Sequence, residues 1–396
     1  MQKKRKLNRA LLFIALFFLF FQYLQAQLSP LDKKCLWIVR ESLYDKDSIE
    51  SAFVHAYYAG YDIVFVQVRG RGYAFYESNI VPKNPKINVE FDPLAYAIKL
   101  GNALGIEVHA WVNTYILWSS KYEPENAKHL YHTHKEWTEA NIHGKMDSKI
   151  KLSSPQSPQW EGIFLSPIHP EVNPYLLSVF AEIINEYNVD GIHLDYIRYQ
   201  DEIYGYNRQG MDVFEQKYDI SPRDIIRGII STHYGWDEKF IDSIKVEWES
   251  FRQNAISSLV KDIYFFIEAS NKEVTLSAAV KPNLMEAKNR WSQDWGRWLN
   301  ENFIDFIVPM NYYKKIRNFN NSIQIIKSNF NDMEINRIIM GIATYNQDAQ
   351  SAIDKILLTR LNGFKGVSIF SYDSHKNNLD WFVPLIEALG NRKEEK

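Results

Sequence analysis

The chain has 396 residues, 46% of them hydrophobic, with 46 basic and 48 acidic side chains and a net charge of −2. This near balance lacks the basic excess typical of nucleic-acid-binding proteins, so we predict no nucleic-acid partner. A single cysteine excludes both an internal disulfide and a cysteine-rich metal cluster. Aromatic residues make up 15% of the chain, and Trp and Tyr rings suit contact with sugar rings as well as an ordinary core.

The N-terminus has the three parts of a secretory signal peptide. A basic segment, 3–9, precedes an apolar run from Ala10 to Phe21, and Ala26 supplies a small residue for cleavage. The run is shorter than the roughly 20 residues that a membrane-spanning helix needs. We therefore predict a signal peptide over residues 1–26, a secreted or periplasmic protein, and no other membrane association. An uncleaved anchor is the alternative.

Residues 34–390 alternate between short β-rich runs and helical patterns, and a charged tail, 391–396, follows them. Asp92 followed by Pro93 is one of several helix start signals. Eight strand-then-helix units in order predict a single α/β domain, a (β/α)8 TIM barrel. An open doubly wound sheet is the alternative, but a Gly-x-Gly-x-x-Gly motif does not follow the first strand. The predicted strands are 36–40, 63–69, 107–113, 191–198, 274–280, 306–312, 338–344 and 367–372. The predicted helices are 48–58, 93–104, 174–187, 246–268, 294–300, 322–329, 348–361 and 381–389.

Two predicted strand-to-helix loops are long, 114–172 after strand three and 199–245 after strand four. Such loops lie at the C-terminal face of a barrel, where active sites are built. The first loop carries His129, His132 and His134, and their spacing indicates a metal site as an alternative. Because an acidic or cysteine partner to complete the ligand set is not evident, we predict neither a metal nor a cofactor.

The densest polar segment surrounds Asp195 in the fourth predicted strand. Strand alternation points Gly191, His193 and Asp195 into the barrel. Asp195 is near the reacting end of the strand, whereas Asp190 is at the opposite end, where a turn or cap role is expected. A buried carboxylate needs a partner, and we predict His193 or Arg198 for that role. The alternative is a salt-bridged core aspartate without catalytic function.

Glycoside hydrolysis requires two carboxylates that flank the scissile bond, and the strand-four motif offers one at its reacting end. We predict Asp294, between Trp291 and Trp295 at the start of helix five, as the second. A helix N-cap role for Asp294 is the equal alternative. The other candidates are Glu41, Glu161 and Asp373. Polar and aromatic residues near the strand ends are predicted to bind substrate. They are Arg69, Trp111, Asn113, His193, Arg198, Asn311 and Tyr312.

Six motifs follow one another along the chain: Phe65-Val66-Gln67-Val68-Arg69, Asp92-Pro93-Leu94, Glu107-Val108-His109-Ala110-Trp111, Asp190-Gly191-Ile192-His193-Leu194-Asp195-Tyr196, Gln293-Asp294-Trp295 and Pro309-Met310-Asn311-Tyr312-Tyr313. In this order they resemble the bacterial glycosyl-hydrolase-like family 10, over roughly Lys34 to Leu389. The resemblance implies a TIM-barrel hydrolase of a bacterial polysaccharide, such as a cell-wall or exopolysaccharide glycan. It also favours Asp195 as the principal acid and Asp294 on the same face. One departure is Lys34-Cys35 before the first strand, where the family often has an Arg-Gly pair.

Three functions remain in competition at the level of sequence. The first is an O-glycoside hydrolase that acts on a polysaccharide or oligosaccharide. The second is a non-catalytic carbohydrate-binding protein on a degenerate barrel, because the core motif lacks a second carboxylate. The third is a metal-dependent polysaccharide deacetylase that would use the histidines of the first long loop. Met310 and Tyr312 also have the spacing of chitinase-type barrels, in which a tyrosine orients the reacting sugar amide.

Overall fold

A computed structural model describes residues 30–154 and 160–390 of the chain. The predicted signal peptide and the predicted charged tail lie outside the described residues. Within the described ranges, every helix is too short or too polar to cross a membrane.

Eight parallel strands form the barrel: β1 Lys33–Ile38, β2 Ile63–Gly70, β3 Glu107–Asn113, β4 Gly191–Asp195, β5 Thr275–Val280, β6 Phe306–Pro309, β7 Met340–Ala343 and β8 Gly366–Phe370. Their hydrogen-bonded order is β7-β8-β1-β2-β3-β4-β5-β6. A single bridge between Ile307 and Ile338 closes the remaining gap between β6 and β7. There the backbone N–H of Ile339 donates to the carbonyl of Ile307 at 2.9 Å. The prediction of a (β/α)8 barrel is therefore confirmed.

A principal helix follows each strand and covers the outside of the barrel. The principal helices are α1 Lys46–Tyr58, α2 Pro93–Leu104, α3 Val172–Glu186, α4 Glu238–Ser270, α5 Trp295–Asn300, α6 Ile316–Asn329, α7 Ala349–Leu361 and α8 Val383–Leu389. Helix α4 begins two turns before its predicted start. The reason is an N-cap, since the side chain of Asp237 accepts a hydrogen bond from the backbone N–H of Phe240.

The connections at the C-terminal face contain short elements of their own. Ile116–Trp118 pairs antiparallel with Ile163–Phe164 in the loop after β3. The helices Arg208–Tyr218 and Pro222–Ile226 occupy the loop after β4, and Leu284–Trp291 precedes α5.

The barrel has two apolar layers because strand side chains alternate between its faces. The outer residues pack under the helices, among them Val64, Val66, Ile192 and Leu194. The inner cluster is centred on Trp37, whose ring makes edge contacts with the rings of four neighbours, at 4.6–5.4 Å between centroids. These neighbours are Phe65, Trp111, His193 and Phe370. This aromatic plug fills the interior of the barrel below the C-terminal ends of the strands.

Candidate active site

Asp195 is the last residue of β4 and stands at the mouth of the barrel. Its Cα pairs in register with that of Asn113, the last residue of β3. Only 6% of the residue is exposed. Trp111 Nε1–H donates to Oδ2 at 3.1 Å, and the backbone N–H of Tyr196 donates to Oδ1 at 2.7 Å. Two donors therefore hold the carboxyl in one orientation.

The chain turns away from the strand directly after Asp195. Tyr196 has a φ of 51°, in the left-handed region that few residues other than glycine adopt. Strand β4 ends here, three residues before its predicted end at Arg198. The turn brings the N–H of Tyr196 back to the carboxyl and leaves Asp195 at the rim.

Burial raises the pKa of Asp195 from 3.8 to about 6, because desolvation disfavours the ionised form. The N–H of Tyr196, the charge of Arg198 and the indole N–H of Trp111 oppose this rise, while the negative charge of Glu161 adds to it. A carboxyl with a pKa of about 6 is half protonated at pH 6 and still about one-tenth protonated at pH 7, which leaves a fraction able to act as a general acid.

The carboxylate partner of Arg198 is Glu161, not Asp195. The guanidinium donates to Glu161 Oε2 at 2.6 Å and to the carbonyl of Tyr199 at 3.0 Å. The ring of Tyr196 lies 5.0 Å below the guanidinium carbon. Arg198 interacts with Asp195 through its charge alone. The predicted Arg198–Asp195 pair is therefore replaced by a bridge from the β4 end to the loop after β3.

Glu161 is the second carboxylate near Asp195, and its side chain is 34% exposed. Gln200 Oε1 accepts its backbone N–H at 2.8 Å, which anchors this part of the loop to the segment after β4. Glu161 was one of the candidates from the sequence. A contact between two long loops brings it to the site, and the sequence shows no periodic pattern from which such a contact could be predicted.

Lys281 also reaches the site, and sequence reasoning missed it. It directly follows β5, and its ammonium lies 4.6 Å from the centroid of the Trp291 ring. Burial lowers its pKa to about 8, with the charge of Arg198 acting in the same direction and those of Glu161 and Asp195 opposing it. The sequence did contain a signal for Lys281, because it is a polar residue directly after a predicted barrel strand.

The predicted residue Tyr312 lies beside Asp195. Its ring stacks on Phe370 at 5.4 Å, and Tyr345, which is 58% exposed, meets both rings edge-on. Burial raises the pKa of Tyr312 well above its usual value, and the charge of Asp195 adds to the rise. These rings form an aromatic wall on the β6–β8 side of the mouth.

A polar chain runs across the ends of β1, β2 and β3. Asn113 Oδ1 accepts from Gln67 Nε2 at 3.1 Å, and Gln67 Oε1 accepts from Arg40 Nη1 at 3.0 Å. Arg40 in turn contacts Glu41 at 2.8 Å. The predicted residues Trp111 and Asn113 are thus at the site, where Trp111 donates to Asp195 and Asn113 is fixed by Gln67.

Arg69 is not brought into the site. The register between β2 and β3 shifts between Gln67 and Arg69, so Arg69 pairs with Val112 and faces outward. It is fully buried, and its guanidinium donates to the backbone carbonyls of Asn113 and Thr114. Its contacts therefore brace the end of β3, and the prediction of a substrate contact is not supported.

Two other predicted substrate residues are fully buried away from the mouth. His193 points inward but lies one step below Asp195, stacked on Phe65 at 4.0 Å with Nδ1 2.8 Å from Ser277 Oγ. Burial lowers its pKa well below 6.5, which leaves a neutral core histidine. Asn311 follows the end of β6 and donates to the carbonyl of Phe319 at 3.0 Å, so it fastens α6 to the barrel.

Asp294 occupies the N-cap position of α5, but its side chain makes no capping hydrogen bond. It forms an ion pair with Lys288 at 2.8 Å. The neighbouring Gln293 accepts from the backbone N–H of Lys281 at 2.8 Å. The catalytic role of Asp294 stays a prediction, and the carboxylate whose charge acts on Asp195 is Glu161.

The other residues weighed from the sequence have structural partners. Asp190 accepts from the backbone N–H of Val108 at 2.7 Å, at the N-terminal end of the barrel. Asp373 accepts from the backbone N–H of Val39 at 2.6 Å. Ring nitrogens of His129 and His132 lie 2.8 Å from backbone carbonyls. Across residues 30–154 and 160–390, His, Cys, Asp and Glu side chains form no group of three arranged to hold a metal.

This barrel, with polar groups at the mouth and an aromatic plug below, has the fold of TIM-barrel glycoside hydrolases. The glycoside hydrolase domain of PgaB (BpsB) from Bordetella bronchiseptica superimposes with a TM-score of 0.67, at 12% identity, over 92% of this chain and 99% of that one. The catalytic domain of β-amylase from Paenibacillus polymyxa gives a TM-score of 0.55, at 10% identity, over 90% and 100%. At these identities the likeness is one of fold.

The family model of Glycosyl hydrolase-like 10 matches residues 38–357, and the chain belongs to this family. The membership confirms the resemblance found in the sequence and the predicted glycoside hydrolase class. Glycosyl hydrolase DigH of Escherichia coli O6:H1 is 24% identical over 279 residues, 65% of this chain and 56% of the relative. Glycosyl hydrolase YngK of Bacillus subtilis is 23% identical over 278 residues, 64% and 46%. The chain thus spans about half the length of these relatives.

Proposed function

We propose that the chain is an exported enzyme that hydrolyses O-glycosidic bonds in a bacterial polysaccharide, a cell-wall or exopolysaccharide glycan. The observation that carries this proposal is the buried carboxyl of Asp195 at the mouth of the barrel, with its pKa raised to about 6. Family membership supports a carbohydrate substrate. Export is supported by the basic and apolar segments before Ala26.

Asp195 acts as the general acid in this proposal. Protonation of the leaving oxygen requires a group that still holds its proton near neutral pH, and burial supplies that property here. Trp111 and the backbone of Tyr196 point the carboxyl toward the mouth and stabilise the anion that remains after proton transfer.

Glu161 acts as the second carboxylate, as a base or as a nucleophile. It pairs with Arg198 at 2.6 Å, and its partial exposure leaves it accessible to water or a sugar. It takes precedence over Asp294, whose charge is directed to Lys288. The aromatic wall of Tyr312, Phe370 and Tyr345 offers ring surfaces against which a sugar can pack.

The test is a screen of the purified mature protein on defined glycans, including peptidoglycan-derived strands and exopolysaccharides, with new reducing ends as the readout. Turnover by the wild type that is lost in Asp195→Asn and in Glu161→Gln would support the proposal. Asp354→Asn is the matched control, because Asp354 lies exposed on α7 and accepts a hydrogen bond from Gln350 of the same helix. Binding without product, equal in wild type and both variants, would favour the carbohydrate-binding alternative.

A further inference from the structure

Asn113 and Asp195 end the neighbouring strands β3 and β4, and their Cα atoms pair in register. Two residues earlier on the same strands, Trp111 and His193 also pair, and both rings contact Trp37 inside the barrel. Because strand side chains alternate in direction, Asn113 and Asp195 point inward as well. Neighbouring strands are about 4.8 Å apart, so the two side chains lie side by side at the mouth.

The amide of Asn113 has one occupied end and one open end. Its oxygen is occupied, because Gln67 Nε2 donates to Oδ1 at 3.1 Å. Among the described residues, no acceptor takes a hydrogen bond from Asn113 Nδ2, and this nitrogen is not one of the buried polar atoms closed to solvent. The group that Asn113 presents at the mouth, beside the proposed general acid, is therefore a hydrogen-bond donor.

Arg40 sets the direction of this amide through Gln67. The backbone N–H and Nη1 of Arg40 both donate to Gln67 Oε1, at 3.2 and 3.0 Å. An arginine side chain offers donors and no acceptor, so Gln67 has to turn its oxygen toward Arg40 and its NH2 group toward Asn113. Asn113 must then meet that NH2 group with its oxygen. A reversed amide at either position would place donors against donors.

The chain of side chains is also fixed by packing. Gln67 is 2% exposed, and Arg40 is held from its other side by Glu41 at 2.8 Å. Gly70, at the end of β2, leaves the space that they occupy. A Cβ atom at residue 70 would lie 2.9 Å from Arg40 Cδ and 3.4 Å from Gln67 Cδ. The donor end of Asn113 is thus oriented before a ligand arrives, which lowers the cost of binding.

The fixed direction of the amide matters only for some ligand groups. A hydroxyl both donates and accepts, so it can bind to either end of an amide. A carbonyl or carboxylate oxygen only accepts, and it binds to the NH2 end alone. An amide that is locked with its NH2 group at the mouth therefore discriminates in favour of a carbonyl or carboxylate oxygen.

We propose that Asn113 Nδ2 is a substrate-binding donor, and that Gln67 and Arg40 are positioning residues that hold it in this orientation. The partner is a carbonyl or carboxylate oxygen on the sugar next to the bond that is cleaved. The substrate class is then a glycan whose sugars carry acyl or acidic substituents. The inference rests on the proposed function, because the proposed general acid Asp195 defines which sugar is next to that bond.

The test is the Kd of purified peptidoglycan glycan strands, and of any other glycan that the screen identifies, by isothermal titration calorimetry. It is measured in a Glu161→Gln background, in which Asp195 is unchanged. Gln67→Glu replaces the NH2 group by an acceptor and keeps both bonds from Arg40. Asn113 should then reverse and present Oδ1 to the ligand, so Kd should rise about tenfold. In an Asn113→Ala background the same substitution should leave Kd unchanged, because the two residues act through each other.

A second variant tests the same point if Gln67→Glu folds poorly. Asn113→Asp keeps an acceptor for Gln67 Nε2 and replaces the open donor by an acceptor, so its Kd should rise by the same factor. Gln324→Glu, exposed on α6, is the matched control with no change. Strands stripped of their N-acyl groups and strands with reduced carboxyls tell the two sources of the oxygen apart. The ligand that lacks the bound group should bind about tenfold more weakly and be insensitive to Asn113→Ala.

Several results would overturn the inference. A Kd that rises in Asn113→Ala but not in Gln67→Glu or Asn113→Asp would assign the partner as a hydroxyl. A Kd that rises equally in Gln67→Glu with and without Asn113→Ala would reject the positioning role of Gln67. Both results leave the proposed function standing. Strands that wild type binds but does not cleave would overturn the proposed function, while the same Kd values still decide the role of Asn113. A protein that neither binds nor cleaves any glycan of the screen would overturn both.

Discussion

Asp195→Asn should change stability in a way that depends on pH, because burial of the charged carboxyl is unfavourable. Each pKa unit corresponds to about 1.4 kcal/mol. The rise from 3.8 to about 6 therefore corresponds to about 3 kcal/mol. The folded state holds the proton more tightly than the unfolded state. This contribution is fully present below pH 3.8 and is lost as the pH rises through about 6.

Asparagine resembles the protonated acid and carries no charge at any pH. We therefore expect the free energy of unfolding of Asp195→Asn to match that of the wild type at pH 4. At pH 8 the variant should be more stable by up to about 3 kcal/mol. The assay is urea unfolding of both proteins at the two pH values, with Asp354→Asn as the control that shows no such change.

The opposite result would refute this reasoning. A partner that compensates the buried charge fully would make the ionised aspartate a net favourable group. Its replacement would then cost about 3–5 kcal/mol at pH 8, as for a broken buried ion pair. A variant that unfolds more easily at pH 8 than the wild type would thus return Asp195 to the role of a salt-bridged core residue.

Three further predictions follow from named contacts. Trp111→Phe removes the indole donor to Asp195, so the alkaline limb of activity should move up by about one pH unit, and an unmoved limb in a pH–rate profile would contradict this. Arg198→Lys loses the planar fork that joins Glu161 to the carbonyl of Tyr199, so kcat/KM should fall about tenfold, and full activity in a steady-state assay would reject the bridge. The mature protein should begin near Gln27 and occur in the periplasm or outside the cell, and detection of the full-length chain in the cytosolic fraction would contradict export.

The fold and the central carboxyl could be predicted because they depend on local periodicity. Alternation along β4 placed Asp195 inside the barrel, and the regular succession of strands and helices indicated the architecture. The prediction that Arg69 contacts substrate was not supported, and the reason is local. The bulge in β2 between Gln67 and Arg69 turns the Arg69 side chain to the outer face of the barrel. Asn311 lies beyond the regular end of β6, where alternation no longer predicts the direction of a side chain. Its amide donates to the carbonyl of Phe319 on the following helix, α6.

The second carboxylate could not be predicted from periodicity. Glu161 lies in the long loop after β3, far along the chain from the end of any barrel strand, and contacts with Arg198 and Gln200 hold it at the site. Each of these contacts joins two loops, and loop contacts depend on the whole fold. Asp294, by contrast, was conspicuous in the sequence because it comes after a predicted strand and between two tryptophans. In the structure it pairs with Lys288 of the preceding helix, Leu284–Trp291.

The most direct test of the account is the turnover of Asp195→Asn on a glycan that the wild type cleaves. The amide keeps the shape of the side chain but is a far poorer proton donor, so general acid catalysis, typically worth about 10²–10⁴ in rate, should be lost while glycan binding and folding persist. Turnover and thermal unfolding are measured on the same preparation. A folded variant that binds the glycan and does not cleave it is the expected result. A variant that cleaves at the wild-type rate would contradict the assignment of Asp195 as the catalytic acid.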